Sequence, residues 1–348
     1  MKITDKDGNN LDAKGNVSII NYPIASVFEK SEFYVNNSLV NTINNYGFQG
    51  YLTAHLSNTE NLKTTTLKNG LYESETKGEI DASNTGFVER ATYAKESSSI
   101  ELTGKIYDPL WLQHRFMLPN VPLKLRLFRN KPEFIILHKG TDSLKIVYEE
   151  AILYVKRHFL SQQIQSMHMD RLNQGEKALY PVNINEIMTF PMPKMTTSHV
   201  RQWLFPNNKL PTRLVIAMIK TSAFEGKAGL NAFNFMHFNI SKMSVSLNDD
   251  PGSEDTREFD FTDKRFLSAF RQTQAALKMD TNSINREAYA DNHFINVFNI
   301  LPSESKVNGN LKIELTFKKP LDEAVTVLLL GERKATISID KMFNVATK

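Results

Sequence analysis

The 348-residue sequence predicts an all-β protein of sandwich or barrel type, on three observations. Short segments with an apolar residue at every second position recur along the chain, separated by turn residues. Helical periodicity is confined to a few places, as expected for inserts between strands and not for alternating βαβ units. A polar stretch from Ser161 to Lys177 parts two strand-rich halves, alike in kind but without a sequence repeat.

In the first half, Glu32–Val35 and Ile100–Ile106 are short strand candidates. From Val121 the alternation is clear: Val121, Leu123, Leu125 and Leu127 share one face, Lys124 and Arg126 the other. Glu133–Leu137, Leu144–Tyr148 and Ala151–Lys156 follow at hairpin spacing. Between Ser57 and Ser99 the chain is rich in Thr, Ser, Asn and Glu, and reads as a long excursion leaving the core. The second half offers Tyr180–Phe190, Arg213–Lys220, Phe238–Leu247 and Phe294–Leu301. Three helices are expected. One runs over Thr262–Lys278, with Phe266, Ala269, Phe270, Thr273 and Leu277 on one face. A second begins at Ser161 and stops at Gly175, and a third covers Tyr46–Leu56.

The C-terminal strands carry the sharpest signal. Leu311, Ile313, Leu315 and Phe317 alternate with Lys312, Glu314, Thr316 and Lys318, so one face is wet and one buried. From Val325 to Leu330 both faces are apolar, which demands covering on both sides. Ile337 and Ile339 open a third strand.

Composition narrows the function classes. Zero cysteines remove any disulfide framework or thiolate metal site and fit assembly inside a cell. The +4 net charge comes from 42 basic and 38 acidic residues spread along the chain, so no basic tail of the nucleic-acid type is present. No apolar run approaches the roughly 18 residues of a membrane span, and MKITDKDGNN lacks the apolar core of a signal peptide.

Chemical motifs are weak. The eight histidines include no His-x-His or His-x-x-x-His pair. His168 and Asp170 stand two apart on a helix, where side chains diverge. Asp5, Asp7 and Asn9 alternate like calcium ligands, but Gly8 is misplaced and no closing Glu follows, so a tight Asp-Gly hairpin turn is expected. The acidic run Asp249–Asp263 reads as a solvated loop entering a helix whose first turn favours negative charge. Ser198-His199 and Ser166–His168 lack a nucleophile context, Glu149-Glu150 point to opposite strand faces, and no glycine-rich phosphate loop occurs. Arg115, Lys124, Arg126, Arg129 and Lys131 interleave with Trp111, Phe116 and Phe128 as in a stacking platform, though cations on the wet face of a strand also serve solubility. No residue stands out as catalytic, cofactor-binding or metal-ligating, and no cofactor is expected.

Several stretches, in order, resemble one family. ELTGKIYDPLWLQHRFMLPNVPLKLRLFRN, LKIVYEEAILYVKRHFLS and ALYPVNINEIMTFPMP are similar to successive blocks of the capsid-like proteins of polinton (Maverick) elements and adintoviruses. The segment from Leu210 to Asn248, REAYADNHFINVFNILPS and NGNLKIELTFKKPLDEAVTVLLLGE continue the resemblance, which covers the chain from about Lys2 to Val345. No single block is diagnostic; their order and spacing are. Asn231–Phe235 departs from the family in carrying Ala232 where Pro is usual. MKITDKDGNNLDAKGN resembles a piece of the first barrel that normally follows an arm and a first strand, so the chain is expected to begin mid-barrel with an open edge in its less stable half.

The resemblance implies a double jelly roll, two eight-stranded antiparallel barrels side by side with a few peripheral helices. Residues 1–160 would form the first barrel with the 57–99 insert, 161–179 the connection and 180–348 the second barrel. It implies a non-enzymatic major capsid protein whose homotrimers form pseudo-hexagonal capsomers of an icosahedral virion, assembled in the host nucleus or cytoplasm. Its partners would be itself, neighbouring capsomers, and penton and minor capsid proteins, with no specific nucleic-acid or membrane site. The alternative is a jelly-roll binding module, either carbohydrate-binding or a minor or vertex virion protein, that does not build the shell.

Overall fold

A computed structural model describes residues 1–12, 17–140, 143–205, 210–248, 250–277, 284–300 and 309–347. Seven strands lie in the first half: β1 (Lys2–Asp5), β2 (Ser18–Ile19), β3 (Phe28–Val35), β4 (Ser38–Asn44), β5 (Leu123–Arg129), β6 (Ile136–Leu137) and β7 (Leu144–Val147). Nine follow: β8 (Ala178–Met192), β9 (Ser198–Leu204), β10 (Arg213–Lys220), β11 (Ile240–Leu247), β12 (Asp255–Glu258), β13 (Ile295–Asn299), β14 (Leu311–Phe317), β15 (Val325–Ile339) and β16 (Val345–Thr347).

The second half pairs its strands from the outside inward: β8 with β15, β9 with β14, β10 with β13 and β11 with β12, all antiparallel. Pairing of β10 with β15 and of β11 with β14 joins these into two sheets, the four-stranded β9-β14-β11-β12 and β8-β15-β10-β13, to which β16 adds a fifth strand beside the end of β15. A long hairpin folded over in this way is a jelly roll. The first half repeats part of the plan. Its β4-β3-β5 sheet corresponds to β12-β11-β14, and β1 with β7 and β2 with β6 correspond to β10 with β15. No described strand of the first half corresponds to β8, β9 or β13.

β15 explains the doubly apolar segment. Val325 to Gly331 are all buried. Phe190, opposite Val327, stacks on His199 of the other sheet at 5.2 Å, so that face looks into the barrel. Asn185, opposite Glu332, donates to Thr53 Oγ1 at 3.3 Å, so the other face meets the helix Tyr46–Ser57 of the first half. Leu328 and Leu330 share that second face by alternation. Further along, Tyr180, Val182, Ala335, Ile337 and Ile339 pack with Phe33, Val35 and Leu110 of the first half. The pieces expected separately at 325–330 and 337–339 form one continuous strand.

Several expectations need correction. The Ser57–Ser99 excursion does not leave the core: it holds helices Glu60–Thr64 and Thr85–Ala94, with Leu67, Tyr72, Phe87 and Arg90 buried. Ile100–Ile106 forms no strand; Ile100 exchanges two hydrogen bonds with Met1 beside β1, at 2.7 and 2.9 Å, and the Thr103 N–H donates to Asn69 O at 2.9 Å. Glu133–Leu137 begins as a helical turn, Pro132–Ile135, because Pro132 pre-sets the first helical φ. Ala151–Lys156 pairs with nothing described. The helix expected from Thr262 starts at Leu267, since Asp260 Oδ1 accepts from the Thr262 and Asp263 amides and holds a turn there; its expected last residue, Lys278, lies outside the described residues. The acidic run contains β12, and Asp249 lies outside the described residues. The helix at 46–57 forms as expected and is buried almost all round, with Phe48, Tyr51 and Leu52 in the main core.

Candidate functional site

The residues weighed for chemistry are scattered and mostly satisfied by their neighbours. Asp5 Oδ1 accepts from the Asp7 and Asn9 amides at 2.9 and 2.7 Å, and Asp5 Oδ2 from Asn9 Nδ2 at 2.9 Å. Those bonds, the Asn9 side chain first, hold the Asp5 carboxyl below its usual range. The loop is a turn closed by its own aspartate, though it does not join two paired strands. Asp260 receives Lys318 Nζ at 3.0 Å, so that carboxylate of the acidic run is paired within the chain. His168 and Asp170 lie on the exposed helix Gln162–Asn173. His199 is on β9 against Phe190, Ser198 beside it is exposed, and Glu149 accepts from Ser99 Oγ at 2.6 Å. Among the described residues no group of three His, Cys, Asp or Glu side chains is gathered as a metal site needs, and no helix is long and apolar enough to cross a membrane.

The basic and aromatic residues around β5 come together, but the rings are occupied. Lys124 and Arg126 both lie over Tyr34, at 5.5 and 5.3 Å, while Lys30 covers Phe128 at 5.1 Å and Arg129 covers Tyr148 at 4.4 Å. Trp111 meets Phe33 edge-on at 5.9 Å, inside the core shared by both halves. These are intramolecular cation–π contacts on a sheet face, each worth about 0.5–1 kcal/mol where exposed, and they leave few open faces for a base.

Two features escaped the sequence reading. The first is a buried polar network. Arg90 Nη2 lies 2.5 Å from Glu75 Oε1, Arg90 Nε donates to Ile19 O at 2.8 Å, and Asn231 Nδ2 donates to Glu75 Oε2 at 2.8 Å. Nearby, Asn21 exchanges two hydrogen bonds with the Glu73 backbone. His55 Nδ1 is 2.5 Å from the Tyr72 hydroxyl, and its ring stacks on His293 at 4.8 Å. Burial, and then the Lys63 charge, hold both imidazoles below the ordinary histidine range, His293 at about 4. Glu75, Arg90 and His55 lie in or beside the 57–99 segment, so the network fastens it to β2 and to the second half. It is sealed from solvent, which makes it a fastening and not a reaction centre.

The second feature is an arm. From Glu149 to Arg171 every residue is exposed, including Ile152, Leu153, Tyr154, Val155, Phe159 and Met167. Tyr154 is 84% and Phe159 95% open to solvent. A soluble protein seldom leaves so much contiguous apolar surface unpartnered. Composition alone could signal this: AILYVK has the makings of a buried strand, and only its position past β7 keeps it off both sheets.

Comparison with known proteins follows the fold. No family model matches the chain. A Caenorhabditis elegans protein named "Uncharacterized protein F54H12.2" is 21% identical over 295 residues, covering 82% of this chain and 69% of its own length. Among solved structures, a chain of the 3.5 Å cryo-EM structure of the Sputnik virophage superposes over 100% of this chain and 79% of its own. Its TM-score is 0.58 and its identity 11%. The crystal structure of the mavirus major capsid protein covers 98% of this chain and 81% of its own, with a TM-score of 0.49 and 10% identity. The fold is a double jelly roll. The Sputnik match supports that assignment over the whole chain, and the strand order of the second half supports it independently.

Proposed function

We propose that this chain is a shell-building structural protein, the major capsid protein of an icosahedral particle, acting through self-association and not through catalysis. The observation that carries the reading is the whole-length likeness to a chain of a virophage particle, both halves included. The exposed apolar arm accords with it, because a shell subunit must bury surface against its neighbours. In this reading residues 1–160 are the first jelly roll, 161–179 the connection and 180–348 the second. Three copies form a pseudo-hexagonal capsomer, capsomers join one another and meet penton and minor capsid proteins, and the particle assembles inside the host cell. Membership of the polinton and adintovirus group is part of the proposal and rests on the order of sequence blocks from Glu101 to Glu332.

Electron micrographs of the purified protein at high concentration test it. Hexagonal capsomers or curved shells are expected. Uniform small particles of single-subunit size would favour the jelly-roll binding module instead.

A further inference from the structure

The assembly reading does not say which surfaces join, and two features of this chain complement each other. The first is an unpaired sheet edge. In the second half β14 lies between β11 and β9. In the first half β5 takes the place of β14, antiparallel to β3 as β14 is to β11. No strand of the described residues lies on the other side of β5. An edge of this kind presents a row of N–H and C=O groups that templates a further strand. Beside it, Leu123 and Phe128 are exposed, and Leu125 packs only partly buried against the core that holds Phe33 and Val35.

The second feature is the arm segment Ala151-Ile152-Leu153-Tyr154-Val155-Lys156. It is rich in β-branched and aromatic side chains, of ordinary strand length, unpaired and exposed. We propose that residues 151–156 of one copy add as an antiparallel edge strand to β5 of a second copy, in the position that β9 holds beside β14. The inference rests on the self-assembly reading and names its contact.

Charge favours this direction. Antiparallel addition brings Glu150 toward Arg129 and Lys131, whereas a parallel strand would set Lys156 and Arg157 beside them. Either phase presents apolar side chains to the leucines of β5, Ile152 with Tyr154 or Leu153 with Val155. Donor and acceptor are different surfaces, so the contact is heterologous, and three copies related by a threefold axis close it into a ring.

The test compares the full chain with Leu153→Pro, which removes a ladder N–H from an exposed segment and leaves the monomer's fold intact. Light scattering across a dilution series reads the oligomer–monomer midpoint, and hydrogen exchange reads 151–156 and β5. Both segments should be protected together in the oligomer and released together on dilution, and Leu153→Pro should raise the midpoint concentration by roughly tenfold or more, about 1.4 kcal/mol. Protection of both segments in the dilute monomer would overturn the proposal in favour of pairing within one chain. Protection of β5 alone would mean that another strand covers the edge, which also overturns it. An unchanged oligomer in Leu153→Pro would reject the strand contact while the assembly reading stands; a chain monomeric at every concentration would reject both.

Discussion

Arg90 and Glu75 form an ion pair of 2.5 Å with neither side chain open to solvent. Helix Thr85–Ala94 supplies the arginine, capped by Asn84, whose side chain accepts from the Phe87 amide. Glu75 precedes the helix and also receives Asn231 of the second half. One pair thus links the 57–99 segment, the first half through Ile19 and the second half.

Removing one partner leaves the other charge buried and unpaired, which costs about 3–5 kcal/mol, whereas replacing both by apolar groups of similar volume is often neutral. Arg90→Met should lower the guanidinium unfolding midpoint steeply, and Arg90→Met with Glu75→Leu should recover most of the loss. A single variant as stable as the parent would show that the pair contributes no such constraint.

His55 and His293 make stability depend on acid. Both are buried and favour the neutral form, so their pKa values in the fold lie below the unfolded value near 6.5, that of His293 at about 4. For His293 the unfolded chain binds more protons between those values, so stability should fall as pH drops from about 6.5 to about 4, and His55 adds in the same direction. For His293 alone the span corresponds to roughly 3 kcal/mol. His237, stacked on Phe261 at 3.7 Å and also held at about 4, adds in the same direction. Unfolding measured from pH 7 to pH 4 checks this, and His55→Phe with His293→Phe should flatten the slope. A profile equally steep in that double variant would place the acid sensitivity elsewhere.

Gly331 is the tight point of β15. A Cβ there would stand 2.5 Å from Phe205 Cε1. Gly331→Ala should therefore cost about 1–3 kcal/mol by overpacking, and Phe205→Leu should relieve part of it in the pair. Thermal unfolding of the two single variants and the double checks this, and additive losses would mean that the two sites do not touch.

Alternation made β14 and the apolar run of β15 legible, because each strand has faces with distinct surroundings. The buried helix at 46–57 was legible as a helix, but not as the layer between the halves. β9 was missed because Ser-His-Val-Arg-Gln-Trp-Leu carries no alternation: the strand is largely exposed and only Leu204 is buried. β12 was hidden in an acidic run, since Glu258 is exposed and only Arg257 is buried, where it donates to Val297 O and Thr273 Oγ1 and lies 3.7 Å from Asp255 on the same face. The 57–99 segment misled for a related reason. Composition marks a charged residue as wet, whereas Glu75 and Arg90 are dry because they satisfy each other. Residues 151–156 of the arm were read as a strand, and their sequence is strand-like; what they lack among the described residues is a strand to pair with.

The most direct test of the shell-building account is the mass of the purified chain in solution, by light scattering after gel filtration at rising concentration. The account predicts a species near three times 39.7 kDa, about 119 kDa, passing to larger assemblies. A single 39.7 kDa species at every concentration would contradict it.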